Sequence, residues 1–264
     1  MPKWGISKGD YFFDHSKNII TKGITSVKYM SNAVAEELYS LANKKQYNYF
    51  VDVLLDMSKE TSVDARQLDI LIKIDFFSEF GNQRELLRLA DMFTTLFKKG
   101  DVKKLAKDKV AGTPLEPIIQ KYATGTTKAG KEAKSYTVLD VPSVMRETED
   151  YIKTLHMADL SDILKVRNFA DVMGYVGYVS GKEEDRKKLY VMDLYPLKRK
   201  RDGKQFGFSV VTKSIGSGKE ARFTVMNHVF MKEPIQKNDI IYCKSFERDG
   251  PYYRLTSYNR VFGS

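Results

Sequence analysis

Cysteine occurs once in 264 residues, tryptophan once and histidine three times. A lone thiol, Cys243 in IIYCKSF, forms no intrachain disulfide and anchors no Cys-based metal site, so packing alone must hold the chain and a reducing compartment is expected. His15, His156 and His228 stand far apart in unrelated contexts, which leaves no pattern for a His-based metal centre. No apolar run approaches the ~18 residues of a membrane span, and MPKWGISKGDYFF has no signal-peptide core. The expectation is a soluble, cytoplasmic chain with no metal and no cofactor.

Catalytic patterns are missing as well. No Asp-x-Asp pair closes a strand, where two-metal phosphoryl transfer would need it. SIGSGKEA imitates a phosphate loop, but Lys213 stands where its first glycine belongs and Glu220 where its hydroxyl belongs, so a hairpin turn is the reading. There is no nucleophile elbow and no dinucleotide fingerprint. The composition points toward binding rather than catalysis.

What is present is positive charge and aromatic rings. The formal charge is +10, and 16 Tyr and 15 Phe bring aromatics to 12%. A basic surplus suits nucleic acid first and an anionic membrane second, while aromatics suit both β-cores and base stacking.

From Ile24 to about Phe97 apolar residues recur at helical spacing. SNAVAEELYSLANKK offers Ser31 or Asn32 as N-cap, NYFVDVLLDMS repeats the period, Asp64 opens DARQLDILIKIDFF, and Asn82 follows the turn at Gly81. Residues 1–97 therefore read as an all-helical domain of helix-hairpin-helix type, whose turn N–H groups hold phosphate without reading bases. Lys28, Lys44, Lys45, Arg66, Lys73, Asn82 and Arg84 are its candidate DNA contacts. Residues 98–134, rich in Lys, Gly, Thr and Ala, read as a linker with at most a short helix near Leu115 to Tyr122, and 135–167 as connecting helices.

From 168 the pattern turns to strands: FADVMGYVGYVS, KLYVMDLYPLK, KQFGFSVVTK, EARFTVMNHVF, NDIIYCKSFE and YYRLTSYNRVF, parted by turn-rich stretches. Short strands at close intervals suggest a small closed barrel, best matched by the OB-fold, and the fold class is α+β. LKRKRDGK makes a basic hairpin tip with Lys198, Arg199, Lys200, Arg201 and Lys204, followed by Phe206, Phe208, Arg222 and Phe223, with Arg254 on the last strand. These are the candidate contacts to a single strand. Period-two alternation places Phe206, Phe208 and Val210 on one face.

GDYFFDHSKNIITKGITSVKYMSNAVAEELYSL followed by RQLDILIKIDFFSEFGNQRELL resembles the region beyond the fingers of the alpha subunit of bacterial DNA polymerase III. The resemblance is most specific from Leu71 to Leu87 and extends more weakly to the barrel. It implies tandem helix-hairpin-helix elements on duplex DNA, an OB domain near single-stranded template, and a sliding-clamp peptide, here Leu89-Ala90-Asp91-Met92-Phe93, with Met92 and Phe93 as the hydrophobic plug. Other replisome subunits or a separate polymerase core are the further partners it implies, in a nucleoid-associated split subunit or a phage or mobile-element derivative. The family's palm and metal-binding chemistry has no counterpart here, so the chain is expected to be noncatalytic. Tyr29 and Ser31 replace the first hairpin's glycines and Asp75 one of the second's; bulky residues resist φ > 0, so the first hairpin is expected to be structural only. The competing expectation is a replication-associated protein-interaction scaffold.

Overall fold

In the computed structural model of the chain, which describes residues 1–15, 18–97, 104–127 and 130–262, side-chain caps start the helices where the sequence puts them. The Ser31 hydroxyl accepts from the Val34 N–H at 3.2 Å and opens α1 (Asn32–Lys44). Asp64 with Gln67 opens α3 (Ala65–Lys73), and Asn82 with Glu85 opens α4 (Gln83–Thr95), each as a reciprocal capping box. Helix α2 (Phe50–Glu60) has no such local cap. Its first N–H groups, of Phe50 and Val51, donate at 3.1 and 2.9 Å to the fully buried carboxylate of Glu149 on α6 (Val141–Thr154). Lys153 completes that carboxylate's shell at 2.7 Å.

The chain divides into two compact units, Met1–Leu160 and Ser161–Ser264. In the first, Trp4 packs against Phe76, Phe77 and Phe80 with centroids 5.3 to 6.4 Å apart, and Phe50 lies 5.2 Å from Phe77. Burying such rings removes large apolar areas from water, and each fully buried side chain contributes about 1.5–3 kcal/mol. This unit is not all-helical: Phe12–Asp14 (β1) and Ile19–Thr21 (β2) pair as a short antiparallel hairpin.

The expected linker is also corrected. Lys104–Ala106 (β3), Ala123–Thr126 (β4) and Glu132–Val138 (β5) form an antiparallel sheet in the order β3-β5-β4, with α5 (Leu115–Lys121) between its first two strands. Leu105, Ile119, Tyr136 and Val138 bury themselves there, which a tether would not do. Residues 98–103, 128 and 129 of that stretch lie outside the described residues. Of the expected connecting helices, α6 belongs to the first unit, and α7 (Asp162–Met173) to the second.

The second unit is a closed barrel. Lys188–Lys198 (β6), Gln205–Ser214 (β7), Glu220–Met226 (β8), Ile240–Asp249 (β9) and Tyr252–Phe262 (β10) close in the order β10-β8-β7-β6-β9. All pairs are antiparallel except β8 with β10, and a one-turn helix, α8 (Asn227–Phe230), joins β8 to the loop before β9. Val191, Val210, Val225, Ile241 and Leu255 fill the interior, while burial pushes the Tyr258 phenol up to about 12. FADVMGYVGYVS, read as a strand, is instead the end of α7 and a loop. Phe169, Ala170, Val172 and Met173 are buried at helical spacing, and Gly174 at φ 77° stops the helix. Among the described residues no helix is long and apolar enough to cross a membrane.

Because Glu149 satisfies two helix-end donors in a dry site, truncating it should leave both unmet, while the partly exposed Lys153 turns to water. Glu149→Ala is expected to lower the stability of the first unit by about 2–4 kcal/mol in urea unfolding; a decrease below about 0.5 kcal/mol, the range of an ordinary surface change, would contradict this role.

Candidate nucleic-acid interface

The basic tip between β6 and β7 is built as a tight turn. Gly203 takes φ 67° and donates to the Arg199 carbonyl at 2.9 Å, and Arg199 N–H donates to the Lys204 carbonyl at 2.9 Å. Lys198, Arg199, Lys200, Arg201 and Lys204 are all exposed around it, with Asp202 occupied by the Lys204 N–H. Like charges so close repel, and an anion laid across them relieves that cost.

A second hairpin, from β9 to β10, turns at Gly250 with φ 60°. Parallel pairing of Tyr253 with Phe223 and of Arg254 with Thr224 fastens it to β8. A groove of about 210 Å³ is lined by both hairpins and the strand between them: Leu197 and Phe206, then Thr224 and Met226, then Asp249, Tyr252, Tyr253 and Arg254. Next to Phe206, an added Cβ on Gly207 would meet the Val225 carbonyl oxygen at 2.4 Å, so strands β7 and β8 approach as closely as they do only with glycine there.

The aromatics divide differently from the expectation. The pairing register slips between Leu197↔Gly207 and Lys198↔Gln205, leaving Phe206 as an extra residue. Such a bulge breaks period-two alternation. Phe206 therefore lines the groove, whereas Phe208 turns to the core and stacks on Phe230 at 4.0 Å. Phe223 is buried and meets the exposed rings of Phe246 and Tyr253 at 5.9 and 6.1 Å. Arg222 is exposed on β8. Tyr252, 66% exposed, and Phe246, 54% exposed, were absent from the sequence-based candidates, although their flanking of the turn-forming RDGP was a usable signal. Arg254 is held by Asp249, Nη2 to Oδ2 at 2.5 Å, and its Nε is buried without an acceptor among the described residues.

The candidates of the helical unit are more engaged. Lys44 pairs with Glu60 at 2.6 Å, a hydrogen bond that holds its ammonium pKa above the ordinary value; Lys45 pairs with Asp56 at 2.5 Å and Lys73 with Asp69 at 2.7 Å. Asn82 is spent as a cap and as donor to the Met157 carbonyl. Glu85 and Asp159 accept the N–H groups of Asn82 and Gln83, so carboxylates already occupy the start of α4 where a phosphate was expected. Lys28, Arg66 and Arg84 are exposed.

The backbone at Tyr29 departs from the expectation that a bulky residue there resists positive φ. Tyr29 and Asp75 both adopt positive φ, 68° and 64°, despite their side chains. Surrounding contacts over-determine them. The Tyr29 carbonyl accepts from Gln67 Nε2 at 2.8 Å and its ring lies under the Arg66 guanidinium at 3.5 Å, while the Asp75 carbonyl accepts from Lys3 Nζ at 3.0 Å. Asn32 and Ala33, in the first turn of α1, are exposed. The start of α1 thus faces solvent, and the start of α4 is occupied by carboxylates.

The residues of the expected clamp peptide lie mostly in the core. Leu89, Ala90, Met92 and Phe93 are buried, Phe93 to 3% exposure, and only Asp91 of the five faces solvent. With Leu86 they form the core-facing stripe of α4. Among the described residues no group of three or more His, Cys, Asp or Glu side chains gathers as a metal site. No protein-family model matches the chain, and no curated protein matches it.

If Phe93 is core, its truncation opens a cavity and does not strip a partner of its anchor. Phe93→Ala is expected to cost about 3–4 kcal/mol in chemical denaturation; unchanged stability would return the residue to the surface role that its burial denies.

Proposed function

We propose that the chain is a noncatalytic DNA-binding module, similar in role to the region beyond the fingers of a bacterial DNA polymerase III alpha subunit, whose barrel holds single-stranded DNA. The observation that carries this reading is the groove between the two barrel hairpins. It joins the half-buried ring of Phe206 and the exposed rings of Tyr252 and Tyr253 to a guanidinium at Arg254, beside a tip of five basic residues. Sequence-tolerant single-strand binding needs these two elements together, ring faces for bases and cations for the backbone.

The strand order supports an OB-type barrel. In chain order the strands pair first with second, second with third, third with fifth in parallel, fifth with fourth and fourth with first, with a helix after the third. In such barrels the second and third strands and the first–second and fourth–fifth loops bind oligonucleotides, and the groove uses those parts. For the helical unit, the two positive-φ turns at Tyr29 and Asp75 support hairpins of helix-hairpin-helix type, with duplex phosphates assigned to the first, near Lys28 and Arg66. Carboxylates at the second favour a protein neighbour there, such as a separate polymerase core or another replisome subunit. With four of the five expected clamp residues buried, the clamp-tethering role is not part of the proposal.

Fluorescence anisotropy with labelled oligothymidylate tests the barrel. Affinity is expected to fall steeply with salt, and replacing Lys198, Arg199, Lys200 and Arg201 by Gln to reduce the log–log slope by about 0.7 for each phosphate that is no longer neutralised. Phe206→Ala or Tyr252→Ala is expected to weaken binding by about 1–3 kcal/mol. Salt-independent affinity, or weakening equal to that from replacing Lys44 and Lys45, would overturn the assignment.

A further inference from the structure

We propose that Asp249 is a built-in competitor for the bound strand: in the free protein its carboxylate occupies Arg254, and single-stranded nucleic acid must displace it to enter the groove. The inference rests on the single-strand reading of the barrel and adds to it a gate. Asp249 ends β9 and Arg254 is the third residue of β10, so the turn at Gly250 brings the two together on the groove wall. Asp249 is the acid among the described groove-lining residues, which are otherwise aromatic, apolar or basic apart from Thr224.

The pairing is incomplete on the arginine side. Only Nη2 reaches Oδ2, at 2.5 Å, and Nε is buried with no acceptor among the described residues. A guanidinium offers Nε–H and Nη2–H along one edge, and a phosphodiester presents two non-bridging oxygens that can take both. A backbone phosphate that displaces Asp249 takes Nη2, and takes Nε as well once the side chain turns that atom out of its buried position. On the carboxylate side the hold is weak. The Asp249 side chain is 62% exposed beside a glycine, and exposed ion pairs are readily exchanged.

This arrangement sorts ligands by length. A carboxylate on the same hairpin competes at high effective concentration, so an isolated anion gains little by replacing it. A strand anchored on the basic tip and on Phe206 and Tyr252 presents its phosphate at a comparably high local concentration and prevails. Asp249 thus lowers the occupancy of free phosphate and mononucleotides, while a polyanion held by its other contacts still enters.

The experiment uses the full chain, labelled oligothymidylate and inorganic phosphate as competitor. Asp249→Asn is expected to tighten oligothymidylate binding about 3–5-fold, the upper range of an exposed ion pair, and to steepen the salt slope by about 0.7. Inorganic phosphate is expected to displace the strand from the variant at no lower concentration than from the wild type, because strand and phosphate both gain the freed guanidinium. In an Arg254→Ala background the same substitution should change affinity less than about twofold, since only the general charge effect remains. Wild-type binding with an Asp249→Asn variant of equal or weaker affinity would overturn the gate alone. Absence of binding in both would overturn the gate together with the single-strand reading, and binding by the variant only would support the gate in its strongest form. A gain that persists undiminished without Arg254 would reduce Asp249 to ordinary repulsion and overturn its role as competitor.

Discussion

The barrel is closed by a short parallel seam, Tyr253 beside Phe223 and Arg254 beside Thr224, and the geometry of the candidate site follows from it. Antiparallel hairpins could build β6 with β7 and β9 with β10 separately. The seam between β8 and β10, together with the antiparallel pairing of β6 with β9, joins the hairpins into one ring without open edges. It sets Arg254 against the outer face of β8, and the basic tip of one hairpin shares a groove with the aromatic turn of the other. Phe223 anchors the seam from inside, buried at 6% exposure yet touching both Phe246 and Tyr253, so core packing and the exposed ring faces are mechanically one piece.

Much of this was legible in the residues. Ser31, Asp64 and Asn82 start helices because their side chains replace missing backbone acceptors, and that chemistry is local. Five of the expected strand runs become β6 to β10 because alternation and turn residues are local too. What was not legible depends on distant partners. The sheet of β3, β4 and β5 is made of short strands rich in Ala, Ser and Thr, whose pattern resembles a tether until a helix covers it. The bulge that sends Phe206 and Phe208 to different sides is a property of the pairing register, not of either strand alone. Burial of Met92 and Phe93 was readable as a helical stripe, but a peptide likeness competed with it.

The two hairpin turns carry a related lesson about backbone strain. Glycine is the easy residue at positive φ, and a bulky Tyr29 in its place argued against that conformation, yet Tyr29 and Asp75 both adopt it. The conformation persists because contacts from Gln67, Arg66 and Lys3, remote in sequence, hold it. Exposure then separates the hairpins in a way composition does not. Carboxylates fill the start of α4, while the start of α1 faces solvent.

The central claim is that a single strand lies in the barrel groove. Titrating the isotopically labelled full chain with oligothymidylate and following backbone amide shifts tests it most directly. The account predicts perturbations concentrated at residues 197–206, 222–226 and 249–254, growing to saturation. Shifts confined to the helical unit, or an unchanged spectrum at saturating oligonucleotide and low salt, would contradict it.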